Sequence, residues 1–102
     1  MLPIKSLLTP EEIKKLASRS HYRYGEQMSE DANITWTKEN NFNIHATVKQ
    51  GNKAGHDVEL MSTTKGFRYK CTCTNKKDLF CEHCTAVAIA WNNKNNKDTN
   101  ES

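Results

Sequence analysis

All four cysteines of this 102-residue chain, Cys71, Cys73, Cys81 and Cys84, fall within fourteen consecutive positions, and no other feature restricts its folding as strongly. A disulfide framework spreads its cysteines to staple distant loops, whereas so tight a cluster in a reducing compartment suits a metal ion. The stretch from Met1 to Leu8 has neither the long apolar run nor the small-residue cleavage site of a secretory signal. No apolar run approaches the ~18 residues of a membrane span. A cytoplasmic location, with reduced thiols, is the resulting expectation. Two disulfides are the alternative use of the same sulfurs. A redox role for Cys81-x-x-Cys84 is a third, but it would leave Cys71 and Cys73 without a purpose.

The length sets an expectation of one domain, and 35% hydrophobic with 8% aromatic residues leaves only a thin core. At 26% charged residues the chain is too ordinary for wholesale disorder. Fifteen Lys and Arg against twelve Asp and Glu give a net charge of +3, too mild to name a nucleic-acid partner unaided. A domain near this size with so little core benefits from a staple, and a structural zinc ion contributes roughly 10–16 kcal/mol of apparent binding energy at neutral pH.

Local patterns give an α+β order. Thr9, Pro10 and Glu12 make a helix start with a capping box, and Ile13, Leu16 and Ala17 give that helix one apolar face. A second helix is expected from Ser20 to Glu30; Gly25 is its weak point and suggests a close packing contact. Strand-like alternation begins at Ile34, with Ile34–Lys38, Phe42–Lys49 and His56–Leu60 separated by turn-forming connectors. A fourth strand follows Gly66, with Phe67, Tyr69, Cys71 and Cys73 on one face and Arg68, Lys70 and Thr72 on the other. From Glu82 to Trp91, Cys84, Val87, Ala88 and Trp91 fall at helical spacing. Residues 1–19 thus read as an N-terminal helical segment, 20–91 as the zinc-binding domain, and 92–102, without an apolar residue, as a solvated tail or linker.

The candidate ligands are Cys71-Thr-Cys73 and, seven residues on, Cys81-Glu-His83. Three thiolates and an imidazole form a standard tetrahedral zinc set. Residues i and i+2 at a strand end can converge on one ion if the strand bends, and the loop from Thr74 to Phe80 returns the chain so that the start of the final helix supplies the other two. Cys84 offers a four-cysteine alternative. His83 is preferred because Cys84 fits the helix's apolar stripe and because four thiolates would leave a charge of −2 rather than −1 on the site.

Cys-x-Cys, a gap, then Cys-x-His running into an Ala/Val-rich helix resembles the SWIM zinc finger. That family occurs in bacterial helicase-like ATPases of the Swi/Snf type, plant Mutator-class transposases and eukaryotic ubiquitin-ligase kinases. Ser20-His-Tyr-Arg-Tyr-Gly-Glu26 resembles the Arg-Gly-bearing helix that precedes the finger in the bacterial ATPases, with Tyr24 inserted between Arg23 and Gly25. His56-Asp-Val-Glu-Leu60 and Lys70-Cys-Thr-Cys-Thr74 look like its last strands, with Thr74 where proline is more usual. Cys81-Glu-His-Cys-Thr-Ala-Val-Ala88 looks like its closing helix. The likeness covers Ser20 to Trp91. It implies zinc binding and a DNA- or protein-interaction role, usually attached to a larger catalytic chain such as a helicase-like ATPase.

Two partner classes follow. From Lys65 to Lys77 five basic residues, Lys65, Arg68, Lys70, Lys76 and Lys77, occur without an acidic one, a stripe able to contact DNA phosphates. The same lysines could merely balance a −1 metal site. Phe67 and Tyr69 share the face of Cys71 and belong in the core rather than in a stacking platform. The rival is a zinc-stabilised protein-docking module using an exposed sheet edge. Catalysis is not expected, since His21, His45 and His56 stand apart from other reactive groups. Without a phosphate-cradling glycine loop, no ATPase activity or small-molecule substrate is expected either.

Overall fold

The alternation from Phe42 to Lys49 has its counterpart in a four-stranded antiparallel sheet of strands β1 (Asn33–Glu39), β2 (Asn43–Lys49), β3 (His56–Thr63) and β4 (Gly66–Cys71), in the order β1-β2-β3-β4. It is preceded by helices α1 (Ile4–Leu7), α2 (Pro10–Leu16) and α3 (Arg19–Asp31) and followed by α4 (Glu82–Asn100). The computed structural model describes residues 3–51, 54–73 and 80–100.

Each boundary has a local cause. The Thr9 side chain accepts a hydrogen bond from the Glu12 amide and Pro10 opens α2, while Ser18 accepts from the His21 amide to start α3. Ile44, Ala46 and Val48 of β2 pair in register with Leu60, Val58 and His56 of β3, so the period-two pattern puts one apolar face inward. Asn43, His45, Thr47 and Lys49 take the other face. The β3–β4 turn ends on Gly66, whose φ of 116° is open to glycine.

One core joins all the elements. Ile4, Leu8 and Ile13 of the N-terminal segment cluster with Ile44, Val48, Val58 and Leu60 of the sheet and with Cys84, Val87, Ala88 and Trp91 of α4. The Ile4 amide also donates to the Asn41 carbonyl at 2.7 Å. The segment before residue 20 therefore covers the same core as the sheet.

Gly25 sits at the crossing of α3 and α4. A Cβ placed there would strike the Thr85 side chain and come within 2.9 Å of the Glu82 carbonyl oxygen, so its missing side chain is what lets the two helices approach. Glycine's cost within the helix is offset by that packing.

The segment expected as a polar tail or linker begins within a helix. Helix α4 continues to Asn100. The Asn92 amide donates to the Leu8 carbonyl, and Lys94 lies 2.8 Å from the Glu39 carboxylate and 4.5 Å from the centre of the Trp36 ring. A helix already nucleated by a buried turn can propagate through polar residues, and Asn92 and Lys94 find partners at its continuation.

Candidate metal centre

Strand β4 delivers Cys71, which faces Val58 across the sheet and is 3% exposed. Past it the ladder ends in a turn. The Thr72 amide donates to the Asp57 carbonyl at 3.1 Å, and the Asp57 amide donates to Thr72 Oγ1 at 3.0 Å. Cys73 thereby leaves the sheet, whereas the alternation predicts that the strand runs through it. The turn is what allows convergence, because two residues apart on a straight strand would stand roughly 6.6 Å apart. From α4's start the other donors arrive. The Cys81 carbonyl accepts both the Thr85 amide at 3.0 Å and the Thr85 hydroxyl at 2.9 Å, fastening the first turn on which His83 lies.

The ligand atoms of Cys71, Cys73, Cys81 and His83 all lie within 4.8 Å of one another. Cys73 Sγ is 3.4 Å from Cys81 Sγ, and Cys81 Sγ is 3.8 Å from His83 Nδ1. Tetrahedral zinc with Zn–S of ~2.3 Å would set sulfurs about 3.8 Å apart and a sulfur–nitrogen pair about 3.6 Å apart. The donor set and its spacing fit a closed four-coordinate site. Cys84 Sγ lies 3.8 Å from Cys81 Sγ, but Cys84 is not among the four mutually close donors. It is fully buried with Val87 and Ala88 in the core. No disulfide joins the four cysteines in this structure.

The electrostatics are those of a group of thiols competing for protons. Cys71, and then Cys84 and His83, stabilise the Cys81 thiolate and hold its pKa far below the usual thiol range. Contacts with Cys71 and Cys81 raise His83 to about 10. Cys73 is the most exposed of the four, yet loss of water beside the cluster, followed by hydrogen bonds to Cys71 and Cys81, pushes its thiol up. Contacts with Cys71 and Cys81, then burial, push Cys84 up as well. A divalent cation would replace the protons on this group.

Two neighbours of the cluster are not among the residues the sequence pattern singles out. His56, which stands apart from other reactive groups in the sequence, packs its ring against that of His83 with centroids 4.5 Å apart, and its Nδ1 lies 3.4 Å from Thr72 Oγ1. Phe80, which the sequence places at the end of a polar loop, is 1% exposed and meets the Tyr69 ring edge-on at 5.0 Å and the Phe67 ring at 6.4 Å. An aromatic directly before the Cys-x-His pair is the one local signal for Phe80. For His56, only the β3–β4 register brings the ring to the corner.

The candidate phosphate contacts separate. Arg68 and Lys70 are exposed on the outer face of β4, and Lys65 is exposed in the β3–β4 turn. Lys70 stands opposite Glu59 and Arg68 opposite Met61 in the β3 ladder, and the Glu59 carboxylate lies 4.0 Å from His45 Nδ1. Lys76 and Lys77 lie outside the described residues. Phe67 and Tyr69 pack against the core, as their strand face predicts.

The chain matches no protein-family model, no curated protein and no solved structure with which it was compared. Among the described residues, no helix is long and apolar enough to cross a membrane.

Proposed function

We propose that this chain is a zinc-stabilised recognition module of the SWIM type, acting by binding rather than catalysis, with DNA as its partner. The observation that carries the reading is the convergence of three sulfurs and one imidazole at the junction of β4 and α4. Zinc suits that donor set because it accepts thiolate and imidazole in tetrahedral geometry and brings no redox chemistry of its own. In this reading the ion ties the sheet to its closing helix and fixes the surfaces around the junction. Cys71, Cys73, Cys81 and His83 are the ligands.

The DNA assignment draws support from the exposed pair Arg68 and Lys70 with Lys65 beside them, and from the resemblance of Ser20 to Trp91 to fingers attached to helicase-like ATPases. Phosphate contacts of this kind give affinity without sequence choice. A mobility-shift titration of the zinc-loaded chain with duplex DNA across salt tests it. Binding that weakens steeply with salt, and weakens again in an Arg68→Ala/Lys70→Ala variant, is the expected result; no shift even at low salt removes DNA as the partner. The place of β4 at the end of the strand order favours protein docking as the second reading. A salt-resistant complex with a protein partner, formed without DNA, would select it.

A further inference from the structure

The charges of helix α3 are the reverse of those that would stabilise it. Arg19 stands in the first turn, at the positive end of the helix dipole, and Glu30 in the last turn, at the negative end. Arg19 and Arg23 are one turn apart, as are Glu26 and Glu30, so each pair repels where opposite charges would support the helix. All four side chains are exposed, and none enters an ion pair among the described residues. Nothing in the described fold offsets this arrangement.

The four charges share one face. At about 100° per residue, their positions fall within an arc of about 60°, and with Tyr24 and Gln27 they line one open depression along the helix. The opposite face is already taken, since Met28 is buried and Gly25 meets Thr85 of α4. Tyr24 flanks the row at its midpoint and is 62% exposed, the one large hydrophobic side chain left so open among the described residues. The row is also antisymmetric about that midpoint. A second copy of the helix, turned end for end, sets Arg19 against Glu30 and Arg23 against Glu26, each pair occurring twice.

We propose that α3 is a self-docking face, through which two copies of this chain pair with their α3 helices antiparallel about a two-fold axis near Tyr24. Such an isologous contact needs a self-complementary patch, and the order of charges supplies one. A polyanion would meet Glu26 and Glu30 on the same face, and a uniformly basic partner would meet the two arginines. A parallel copy would set like charge on like, whereas the antiparallel copy meets every charge with its opposite and brings opposite dipole ends together. The row is only roughly 16 Å long, too short to bury the ~800 Å² per partner of a standard stable interface. The pairing is therefore weak, concentration-dependent and sensitive to salt. It uses none of the metal donors and neither Arg68 nor Lys70, so it stands apart from the function proposed above.

Sedimentation velocity of the full chain from about 10 μM to about 1 mM tests it, with melting temperature and metal content followed in every variant. A monomer–dimer equilibrium is expected at low salt, with a dissociation constant about tenfold or more higher at ~0.5 M salt. Arg19→Glu/Arg23→Glu and Glu26→Arg/Glu30→Arg are each expected to be monomeric alone. Mixed, they are expected to form a heterodimer at least as tight as the parent dimer, which a misfolded variant could not do. Should either double variant lose its fold, the exchange of all four charges, Arg19→Glu/Arg23→Glu/Glu26→Arg/Glu30→Arg, takes its place. That variant keeps the complementarity, suits the helix dipole better and is expected to self-associate like the parent. A parent that stays monomeric at about 1 mM in low salt overturns the proposal. A dimer that both reversals leave intact also overturns it and moves the contact to another face, such as the edge of β4. Two folded reversal variants that stay monomeric when mixed overturn it as well.

Discussion

Between Ile44 and Leu60 the chain is fixed twice over, by a backbone ladder and by an unbroken apolar face. Past Cys71 the ladder stops, and the described residues Cys73, Cys81 and His83 lie outside it. There the strand ends, the donors come from a turn and a helix start, and what they share is proximity among groups that repel or exchange protons. The sheet layer is held by its ladder and by the apolar core it shares with the helices, whereas the corner gathers donors that a cation would hold together. Helix α4 belongs to both regions, since Val87, Ala88 and Trp91 join the core and Cys81 and His83 the donor group. The difference separates a part of the molecule that hydrophobic burial stabilises from a part that ligation does.

The sharpest way to break the comparison is to remove a donor. Cys81→Ser or His83→Ala should cost most of the roughly 10–16 kcal/mol of apparent metal affinity typical of such sites. Metal content should fall towards zero, and hydrogen exchange should show protection lost first from Tyr69 to Trp91, while β2 and β3 amides outlast it. Equal loss across the sheet would mean that the two regions are one cooperative unit. Striking the other region, Leu60→Ala should cost about 2–5 kcal/mol in denaturant unfolding, with one equivalent of zinc still bound to the folded protein.

Gly25→Ala tests the helix crossing on which the corner leans. The added methyl must displace Thr85, so destabilisation of about 1–3 kcal/mol is expected by thermal melting. A stabilised variant would mean that α3 and α4 do not approach this closely.

Protons sharpen the contrast further. In the metal-free corner His83, raised to about 10, and Cys73, whose thiol is pushed up, both hold protons at neutral pH. The raised His83 stabilises the metal-free fold fully below its ordinary value near 6.5, and that contribution fades as pH rises through about 10. Zinc must displace the same protons. Competition against a chromophoric chelator should therefore show affinity rising with pH, about tenfold per unit for each proton released. A flat profile would contradict that proton competition.

The smallest effect should come from Cys84→Ala. As a core residue it should cost about 1 kcal/mol and keep one equivalent of metal. Loss of metal would exchange its role with that of His83.

Much of this division is legible in the sequence. Capping at Thr9, the alternation of β2 and the helical spacing of Cys84, Val87, Ala88 and Trp91 are local signals, and each element forms where its signal stands. The four clustered donors are also readable, because ligand chemistry and spacing lie within one short stretch. What escapes depends on distant parts of the chain. His56 reaches His83 only through strand register, and Cys73 leaves the sheet because Thr72 and Asp57 prolong the pairing into a turn. Helix α4 continues beyond Trp91 because Leu8, Glu39 and Trp36 offer partners to Asn92 and Lys94.

Native mass spectrometry of freshly purified, never-chelated protein tests the central claim most directly. One zinc ion per chain, whose removal by chelator shifts the protein to the higher charge states of a partly unfolded chain, is the predicted result. A folded chain carrying no metal, its four sulfurs free or joined to one another, would contradict it.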